Sequence, residues 1–394
     1  MAHQADNSVI EAVVQLLLEH GLPEMANAVR LMLNEAMRIE RSSVLEADPY
    51  ERTDKRRGYA NGFKPKTLNT RLGELELQIP QVRGGVEFYP SALERGVRSE
   101  RALKCAIAEM YVQGVSTRKV TEVMRELCGL EVSSTQVSRA TRMLDEELDR
   151  WRNRPLGEVP YVFLDARYEK MRHGGSVVSC AVLMAFGVTP SGQRTVLGVS
   201  VSLSEAEVHW RDFFSALQAR GLSGVKLFIS DDHAGMRAAR EARFPGVPWQ
   251  RCQFHLQQNA GHYVPRLEMR QEVAGDLRAI FESGDRIEAE RRLQDAVHKY
   301  AQRAPKLSAW MEANVAESFT VFAFPATHRR RLRTSNLMER VSKEIKRRTR
   351  VATLFPSEAS LLRLVSAVLM EICEEWETEK TYLGMSNLNP SERE

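Results

Sequence analysis

The sequence predicts an α/β fold in which a mixed sheet lies between helical segments. Three apolar runs, at 161–164, 177–188 and 195–203, precede an amphipathic helix and a fourth apolar run at 225–229. Strands interrupted by a single helix are typical of a mixed α/β sheet. The segments before residue 151 and after residue 255 have helical apolar spacing, so we expect helices on both sides of the sheet-forming segment in the chain.

Length and composition exclude several classes of protein. A chain of 394 residues is long enough for two to four domains, and 43% hydrophobic with 27% charged residues excludes a disordered or fibrous chain. The longest apolar run, Val177 to Val188, is shorter than a membrane span, and the first residues lack the pattern of a secretion signal. Five scattered cysteines favour a reducing cytoplasm, and the net charge of +4 allows a nucleic-acid partner without indicating one.

The first part of the chain divides into two predicted segments. Residues 1–50 form helices joined by a turn at Gly21-Leu22-Pro23. Residues 51–99 form a basic arm rich in Gly, Asn and Pro over 51–70, followed by a short β segment. The strict alternation from Glu74 to Pro80 indicates a half-buried strand that ends at the proline.

Residues 100–150 have the spacing of three helices that resemble a helix-turn-helix DNA-binding region. Ser133 and Gln136 form a capping box that begins the third helix, and a tight connection precedes it. The third helix would present its first polar residues to base edges. An ordinary helical bundle explains the same spacing equally well. The DNA-contact candidates in this region are Arg118, Lys119, Ser134, Gln136 and Arg139.

The remainder of the chain alternates between sheet and helix. The apolar runs lie within 156–255, and a basic helix lies within 329–356. Residues 256–328 are predicted to be an all-helical block between these segments. Residues 357–394 are predicted to be a C-terminal amphipathic helix and tail.

Asp165 and Asp231 are each predicted to lie at the C-terminal end of an apolar strand, where ligands collect in α/β sheets. Two adjacent carboxylates repel unless one is protonated or a cation binds both, and Mg²⁺ prefers such oxygen ligands. The alternative is that an Asp at a strand end caps the following helix. Asp232 is better placed than Asp231 to cap a helix at 234–243.

Glu339 is an isolated acid in a strongly basic segment. From Arg329 to Arg350 the chain has ten Lys and Arg against two Glu, a local net charge of +8. Glu339 could be only the acid of a capping box that begins at Asn336. The density of cations favours a phosphate backbone held close to a metal. The candidates for backbone contacts here are Arg333, Lys343, Lys346, Arg347 and Arg348.

Cys252 and His255 form a C-x-x-H pair in the sequence WQRCQFH. Two ligands make half of a structural zinc site, and no second pair lies at zinc spacing. Packing and hydrogen bonding where a strand leads into a helix is the favoured interpretation. The sequence contains no P-loop and no G-x-S-x-G motif, which argues against an ATP-driven enzyme and against acyl transfer.

The chain resembles, essentially from end to end, bacterial insertion-sequence transposases of the Mutator-like group. The resemblance rests on long motifs in the family's order, among them YVFLDARYEKMR, LFISDDHAGM, WQRCQFH and RLRTSNLMER. It implies that 156–255 and 329–356 form one ribonuclease-H-like catalytic domain, with 256–328 as a helical insertion before its last acid. It also implies an Asp, Asp, Glu triad at Asp165, Asp231 and Glu339, and it makes Cys252 and His255 the family's C-x-x-H motif.

The resemblance implies a DDE transposase that binds terminal inverted repeats of double-stranded DNA and cleaves and joins strands at target DNA. Two Mg²⁺ ions, or Mn²⁺ in their place, would be held by the triad, one activating a water or 3′-hydroxyl and the other stabilising the leaving 3′-oxygen. We expect at least a homodimer on DNA, a bacterial, cytoplasmic and nucleoid-associated protein, and no membrane partner. The alternatives are a catalytically silent DNA-binding regulator and a metal nuclease that cleaves without joining.

Overall fold

The structure is a computed structural model that describes residues 4–334, 336–352 and 354–385, without the side chains of 4–7, 336, 337 and 352. The chain forms two compact units, residues 1–143 and 144–394, and each is described by itself. The division falls after Met143, so the helix at Asp145–Arg152 belongs to the second unit. No helix in the described ranges is long and apolar enough to cross a membrane.

The first unit consists of helices and one long hairpin. The predicted pair of N-terminal helices is confirmed, with a one-turn 3-10 helix between them. The elements are α1 (Gln4–His20), α2 (Met25–Leu45), β1 (Tyr59–Thr70), β2 (Gly73–Arg83), α3 (Arg101–Val112), α4 (Thr117–Cys128) and α5 (Ser134–Thr141). Leu75, Leu77 and Ile79, on alternate residues of β2, pack with Met37 of α2 in a small core.

The prediction of a loop or arm over residues 51–70 is wrong for 59–70. Polar residues of β1 are mostly exposed, so the segment has no hydrophobic alternation of its own. It is a strand because it pairs antiparallel with β2, from Tyr59 opposite Arg83 to Thr70 opposite Gly73. The register shifts between Ala60 and Phe63, where Gly62 takes a positive φ of 73°.

Three helices follow as predicted in residues 100–150, with one break that was not predicted. Ser133 Oγ accepts from the Gln136 amide at 3.3 Å, and the Gln136 side chain accepts from the Ser133 amide at 2.7 Å, which confirms the capping box. Val120, Met124, Val137 and other apolar residues form a local core. The predicted continuous third helix instead ends at Thr141, and a short 3-10 turn follows.

The second unit contains a mixed sheet, as predicted, with five strands where four apolar runs were singled out. Its elements up to the last strand are α6 (Asp145–Arg152), β3 (Tyr161–His173), β4 (Ser176–Val188), β5 (Arg194–Ser202), α7 (Glu207–Ala219), β6 (Leu227–Ser230), α8 (Ala234–Arg243) and β7 (Trp249–Arg251). The strand order is β5-β4-β3-β6-β7. The first three strands are antiparallel neighbours, and β6 and β7 join parallel to β3.

The rest of the second unit is helical. Its elements are α9 (Gln253–Ala260), α10 (Met269–Phe281), α11 (Arg286–Tyr300), α12 (Pro305–Asn314), α13 (Ala326–Leu332), α14 (Asn336–Thr349) and α15 (Glu358–Thr378). Helices α9 to α12 and the turns that follow share a hydrophobic core separate from that of the sheet, running from Leu256 to Phe319. This block lies in the chain between β7 and α14.

Helices cover both faces of the sheet. On one face, Val162, Leu183 and Leu197 pack against Phe213 and Phe214 of α7. Side chains alternate along a strand, so neighbouring residues face the other side, where the Phe186 and Trp376 rings meet at 5.9 Å. Helix α15, which carries Trp376, therefore packs on the face opposite α7. Asp165, two residues after Phe163 and four after Tyr161 on β3, shares this second face.

Candidate active site

The parallel pairing of β3 with β6 brings Asp165 level with Asp231. Tyr161, Val162 and Phe163 lie opposite Leu227, Phe228 and Ile229 with one constant offset, and the same offset relates the two acids. Burial, followed by repulsion from Asp231, raises the pKa of Asp165 to about 6. The two carboxylates are therefore close enough to interact electrostatically.

The prediction that Asp165 ends its strand is wrong. Strand β3 continues to His173, because it pairs with β4 along its whole length, and Asp165 lies opposite Met184 in the middle. Asp231 does follow the end of β6. Strand β6 thus ends at Ser230, level with the residue before Asp165, whereas β3 continues. The Asp165 side chain therefore lies where the sheet, within the described ranges, has no further strand on that side of β3.

Helix α14 is attached along β3 beside Asp165. Ser342 Oγ donates to Asp165 Oδ2 at 3.1 Å, and Arg167 donates to the Ser342 carbonyl at 3.1 Å. Further along, Thr349 Oγ1 donates to Glu169 Oε1 at 3.0 Å. Met338, Val341 and Ile345 form the buried stripe of this helix, as predicted.

Glu339 lies in the first turn of α14, three residues before Ser342 and hence on the same side of the helix. Its Oε1 atom is buried without a hydrogen-bond partner among the described residues. A buried carboxylate oxygen without a donor is costly, and a cation would satisfy it. The predicted capping box falls partly outside the described residues, because the Asn336 side chain and residue 335 are not described.

The carboxylate oxygens of this region are the ligands that a hard divalent cation prefers, although the three side chains do not converge on one metal position. Asp165 and Asp231 repel each other, and Glu339 has the unpaired oxygen. Within the described ranges, no group of three or more His, Cys, Asp or Glu side chains has the arrangement of a metal site. The structure therefore brings the two aspartates together and places Glu339 one helical turn from the Ser342 contact.

Cys252 and His255 lie beside the two aspartates. Cys252 precedes the first residue of α9 and is completely buried, and His255 follows in the first turn. The hydrogen bond and charge interaction with Cys252, followed by the charges of Asp231 and Asp165, outweigh burial and raise the pKa of His255 to about 9. The Gln253 amide also donates to the Arg333 carbonyl at 2.9 Å. The C-x-x-H pair therefore lies close enough to the two aspartates to interact with them electrostatically, and its segment contacts the residues that lead into α14.

Asp232 has a different role from the predicted helix cap. His233, not Asp232, is the residue before α8, and it makes no capping hydrogen bond. Asp232 pairs with Arg237 and with the buried Arg251, whose Nη1 lies 3.3 Å from Asp232 Oδ2. Arg251 also pairs with Glu317 at 2.7 Å. Asp232 thus belongs to an ion-pair network and leaves Asp231 as the acid that faces Asp165.

A fourth acid, Glu205, lies next to Asp231 and was missed in the sequence. Burial and the nearby Asp231 raise its pKa, while His233 and a hydrogen bond from Tyr168 act in the opposite direction. His233 Nδ1 is 3.9 Å from Glu205 Oε2. In the sequence, Glu205 looks like one more acid before a helix. No local pattern marks it, and its backbone packs against Gly235, where a Cβ would lie 2.4 Å from the Glu205 carbonyl oxygen.

We expect Gly235→Ala to lower the free energy of unfolding by about 1–3 kcal/mol, because the added methyl group meets backbone that cannot move away easily. Gly275→Ala, within α10, is the matched control, since nothing lies within 4 Å of a Cβ there. That control should be neutral or stabilising by about 0.5–1 kcal/mol. Chemical denaturation measures both, and equal stability of the two variants would contradict the close approach.

The basic residues of α14 divide into free and paired side chains. Lys343 and Lys346 are exposed and make no ion pair in the described part of the chain. Arg347 pairs with Glu344 at 2.7 Å. The structure gives Arg348 a different role from the predicted backbone contact. Its side chain is only 6% exposed and pairs with Glu371 at 2.6 Å, so it attaches α14 to α15.

The other predicted DNA contacts remain accessible. Arg333 is half-buried and lies 3.4 Å from Glu282. Gln136 uses its amide oxygen in the capping box, and in the described part of the chain its amide nitrogen remains free to donate to a ligand. The remaining candidates of the first unit are exposed and are Arg118, Lys119, Ser134 and Arg139.

These contacts predict that substitution of Arg348 changes stability, whereas substitution of the two free lysines of α14 changes DNA binding. Arg348→Gln should cost about 2–3 kcal/mol of stability, between the values for exposed and buried ion pairs. Lys343→Gln with Lys346→Gln should leave stability unchanged and flatten the log–log salt dependence of DNA affinity by about two. Thermal denaturation and fluorescence anisotropy measure the two properties. A normal salt dependence in the double variant would exclude these lysines as backbone contacts.

Comparisons with known proteins identify the family. The family described as "Transposase, Mutator family" matches residues 3–379. The transposase for insertion sequence element IS406 of Burkholderia multivorans is 57% identical over 392 residues, covering 99% of this chain and 100% of that protein. The transposase for ISRM5 of Rhizobium meliloti is 41% identical, covering 96% and 94%. The transposase for IS256 in transposon Tn4001 of Staphylococcus aureus is 35% identical, covering 92% and 94%.

The chain therefore belongs to the Mutator family of transposases. Its relatives by sequence are transposases of insertion sequences. One solved structure, described as "Crystal structure of NurA", aligns with 61% of this chain and 63% of its own at 12% identity. Its TM-score of 0.12 is too low to indicate a shared fold.

Proposed function

We propose that this protein is a DNA transposase that binds the terminal inverted repeats of an insertion sequence and catalyses metal-dependent strand cleavage and strand transfer. The observation that carries the proposal is the placement of Asp165 level with Asp231, beside a helix whose Glu339 has an unpaired buried oxygen. Membership of the Mutator family supports the same activity. Asp165, Asp231 and Glu339 are the proposed catalytic residues.

We further propose that the second unit is a ribonuclease-H-like domain with α9 to α12 as a helical insertion. The order of three antiparallel strands followed by two parallel ones supports this assignment, as does the separate core of the helical block. In this interpretation the insertion separates Asp231 from Glu339 in the chain, while the contact of Ser342 with Asp165 returns α14 to the sheet. The sequence-based domain limits remain predictions.

The proposed site residues divide the work of the reaction. Asp165, Asp231 and Glu339 would hold Mg²⁺ or Mn²⁺, which when bound would activate a water or a 3′-hydroxyl and stabilise the leaving 3′-oxygen. Ser342 orients the Asp165 carboxylate by its hydrogen bond. His255, whose pKa is raised by Cys252 and by the two aspartates, would hold a proton beside them. Lys343 and Lys346 would hold the phosphate backbone, and two DNA ends would require at least a dimer.

The proposal is tested by incubating the full chain and Mg²⁺ with labelled duplexes that carry the inverted repeats flanking its reading frame. A transposase releases cleaved ends and also joins them to target DNA. Binding without any cleavage would favour the DNA-binding regulator, and cleavage without joined products would favour a nuclease. Omission of the divalent cation should abolish both products and retain DNA binding.

A further inference from the structure

A basic groove crosses the hairpin of the first unit, outside the candidate active site. Two cavities of about 650 and 680 Å³ lie side by side there and share Thr67 and residues 96–98 in their walls. We call them together the hairpin groove. The charged side chains that line it are Lys64, Lys66, Arg95, Arg98, Lys104, Arg139 and the single carboxylate Glu74.

One wall of the hairpin groove is the segment after β2, and backbone and side-chain hydrogen bonds hold this segment against β1. The Asn69 amide donates to the Arg98 carbonyl at 2.9 Å, and the Glu100 amide donates to the Asn69 carbonyl at 2.8 Å. Lys66 Nζ donates to Tyr89 Oη at 2.8 Å, which ties the returning segment to β1. The groove is therefore built into the hairpin and its return segment.

Most of the cations in the groove have no acidic partner. Within the described ranges, Lys64, Arg98, Lys104 and Arg139 make no ion pair, whereas the neighbouring Arg71 pairs with Glu100 at 3.0 Å. Six cations facing one carboxylate repel each other in the absence of an anion. Such an arrangement attracts a ligand with several negative charges.

The shape and position of the groove favour a nucleic-acid backbone. The cations are spread over two connected cavities, which suits a repeating polyanion better than a single phosphate. Arg139, in the last turn of α5, lines the groove, while the exposed Ser134 lies at the other end of that short helix. A backbone bound in the groove would thus run beside a helix suited to contact base edges.

We propose that the hairpin groove binds the phosphodiester backbone of duplex DNA, as a positioning site separate from the catalytic carboxylates. This inference rests on the proposed function, because it takes DNA as the substrate. Backbone contacts set register and orientation without reading sequence. Substitutions in the groove should therefore weaken specific and non-specific binding equally.

The test uses the full chain with Lys64, Arg98 and Lys104 all changed to Gln. The probes are a labelled duplex with the flanking inverted repeat and a scrambled duplex of equal length. At 0.15 M salt we expect about 100-fold weaker binding to both, and a log–log salt slope flatter by about three. The matched control changes three exposed, unpaired cations of the helical block, Arg266, Arg270 and Lys306, to Gln and should bind as the wild type does.

A charge-preserving variant guards against a folding defect. Lys64→Arg with Lys104→Arg should retain both the affinity and the slope of the wild type. Equal affinity and slope in the Gln variant and its control would overturn the groove proposal, as would a wild type that does not bind DNA. A wild type that binds through the groove but does not cleave would instead overturn the proposed catalytic function, so the two failures are distinguishable.

Discussion

Asp231→Asn should reduce strand cleavage and strand transfer by about a thousandfold or more while leaving DNA affinity unchanged. The amide keeps the shape of the side chain and removes the charge that faces Asp165. Stabilisation of the reacting oxygens by a bound cation amounts to several kcal/mol, and each 1.36 kcal/mol is a factor of ten in rate. Single-turnover rates on pre-cleaved and intact end duplexes measure the two steps.

The adjacent acid provides the control for this prediction. Asp232 has the same chemistry, but its contacts are with Arg237 and Arg251 in an ion-pair network. Asp232→Asn should therefore lower thermal stability and leave the rate of strand transfer per folded molecule within a few-fold of the wild type. Equal rates for the Asp231 and Asp232 variants would exclude the assignment of Asp231.

Asp165→Asn should stabilise the metal-free protein at pH 8 by up to about 3 kcal/mol. The pKa of Asp165 is raised from an ordinary 3.8 to about 6 in the folded chain, so ionisation of this carboxyl opposes folding. Its protonated form carries no such cost below about pH 4, and the stability is lost as the pH rises through about 6. The gain from the variant should therefore appear between these pH values and level off above them.

Divalent cations should reverse the order of stability. At a thousand times its dissociation constant, Mg²⁺ bound only to the folded state stabilises the wild type by about 4.1 kcal/mol, which exceeds the gain of about 3 kcal/mol that the variant has without metal. The Asp165→Asn variant lacks a proposed ligand and should gain far less. Urea denaturation across pH with chelator or with Mg²⁺ measures both effects. A stability difference that does not change with pH would show that Asp165 ionises in the folded chain as it does in water.

Local patterns predicted the parts of the fold whose hydrophobic spacing is regular. Val177 to Val188 is a strand, and the Ser133 and Gln136 box begins its helix. Met338, Val341 and Ile345 are buried on one side of α14. In each case the pattern of neighbouring residues determines the element, so nothing distant in the chain is needed.

Features that depend on distant partners could not be predicted in the same way. The polar strand β1 forms because β2 supplies its hydrogen bonds, and Asp165 lies within β3 because β4 continues beside it. Arg348 looks like one more cation of a basic run until Glu371, twenty-three residues later, is seen to pair with it. A count of basic residues therefore includes Arg348 as an available charge, although in the folded chain it is already paired.

The candidate site shows the same division. Strand-end positions and a basic segment singled out Asp165, Asp231 and Glu339, and the resemblance joined them in a triad. The register of β3 with β6 supplies a physical reason for the first two. The position of Cys252 and His255 beside the aspartates was not foreseen, because β7 must first pair with β6 to bring them there. Glu205 was missed because it lies in the connection between β5 and α7, and only the folded chain brings it near Asp231.

The central claim, that Glu339 completes the catalytic acids of Asp165 and Asp231, is tested most directly by comparing two glutamates of the same helix. Glu339→Gln replaces the acid with the unpaired buried oxygen, and Glu344→Gln replaces one that is paired with Arg347 and Arg348. The measurement is the single-turnover rate of strand transfer at saturating DNA and Mg²⁺. We expect a loss of about a thousandfold for Glu339→Gln and no more than a few-fold for Glu344→Gln; a near-normal rate for Glu339→Gln would contradict the claim.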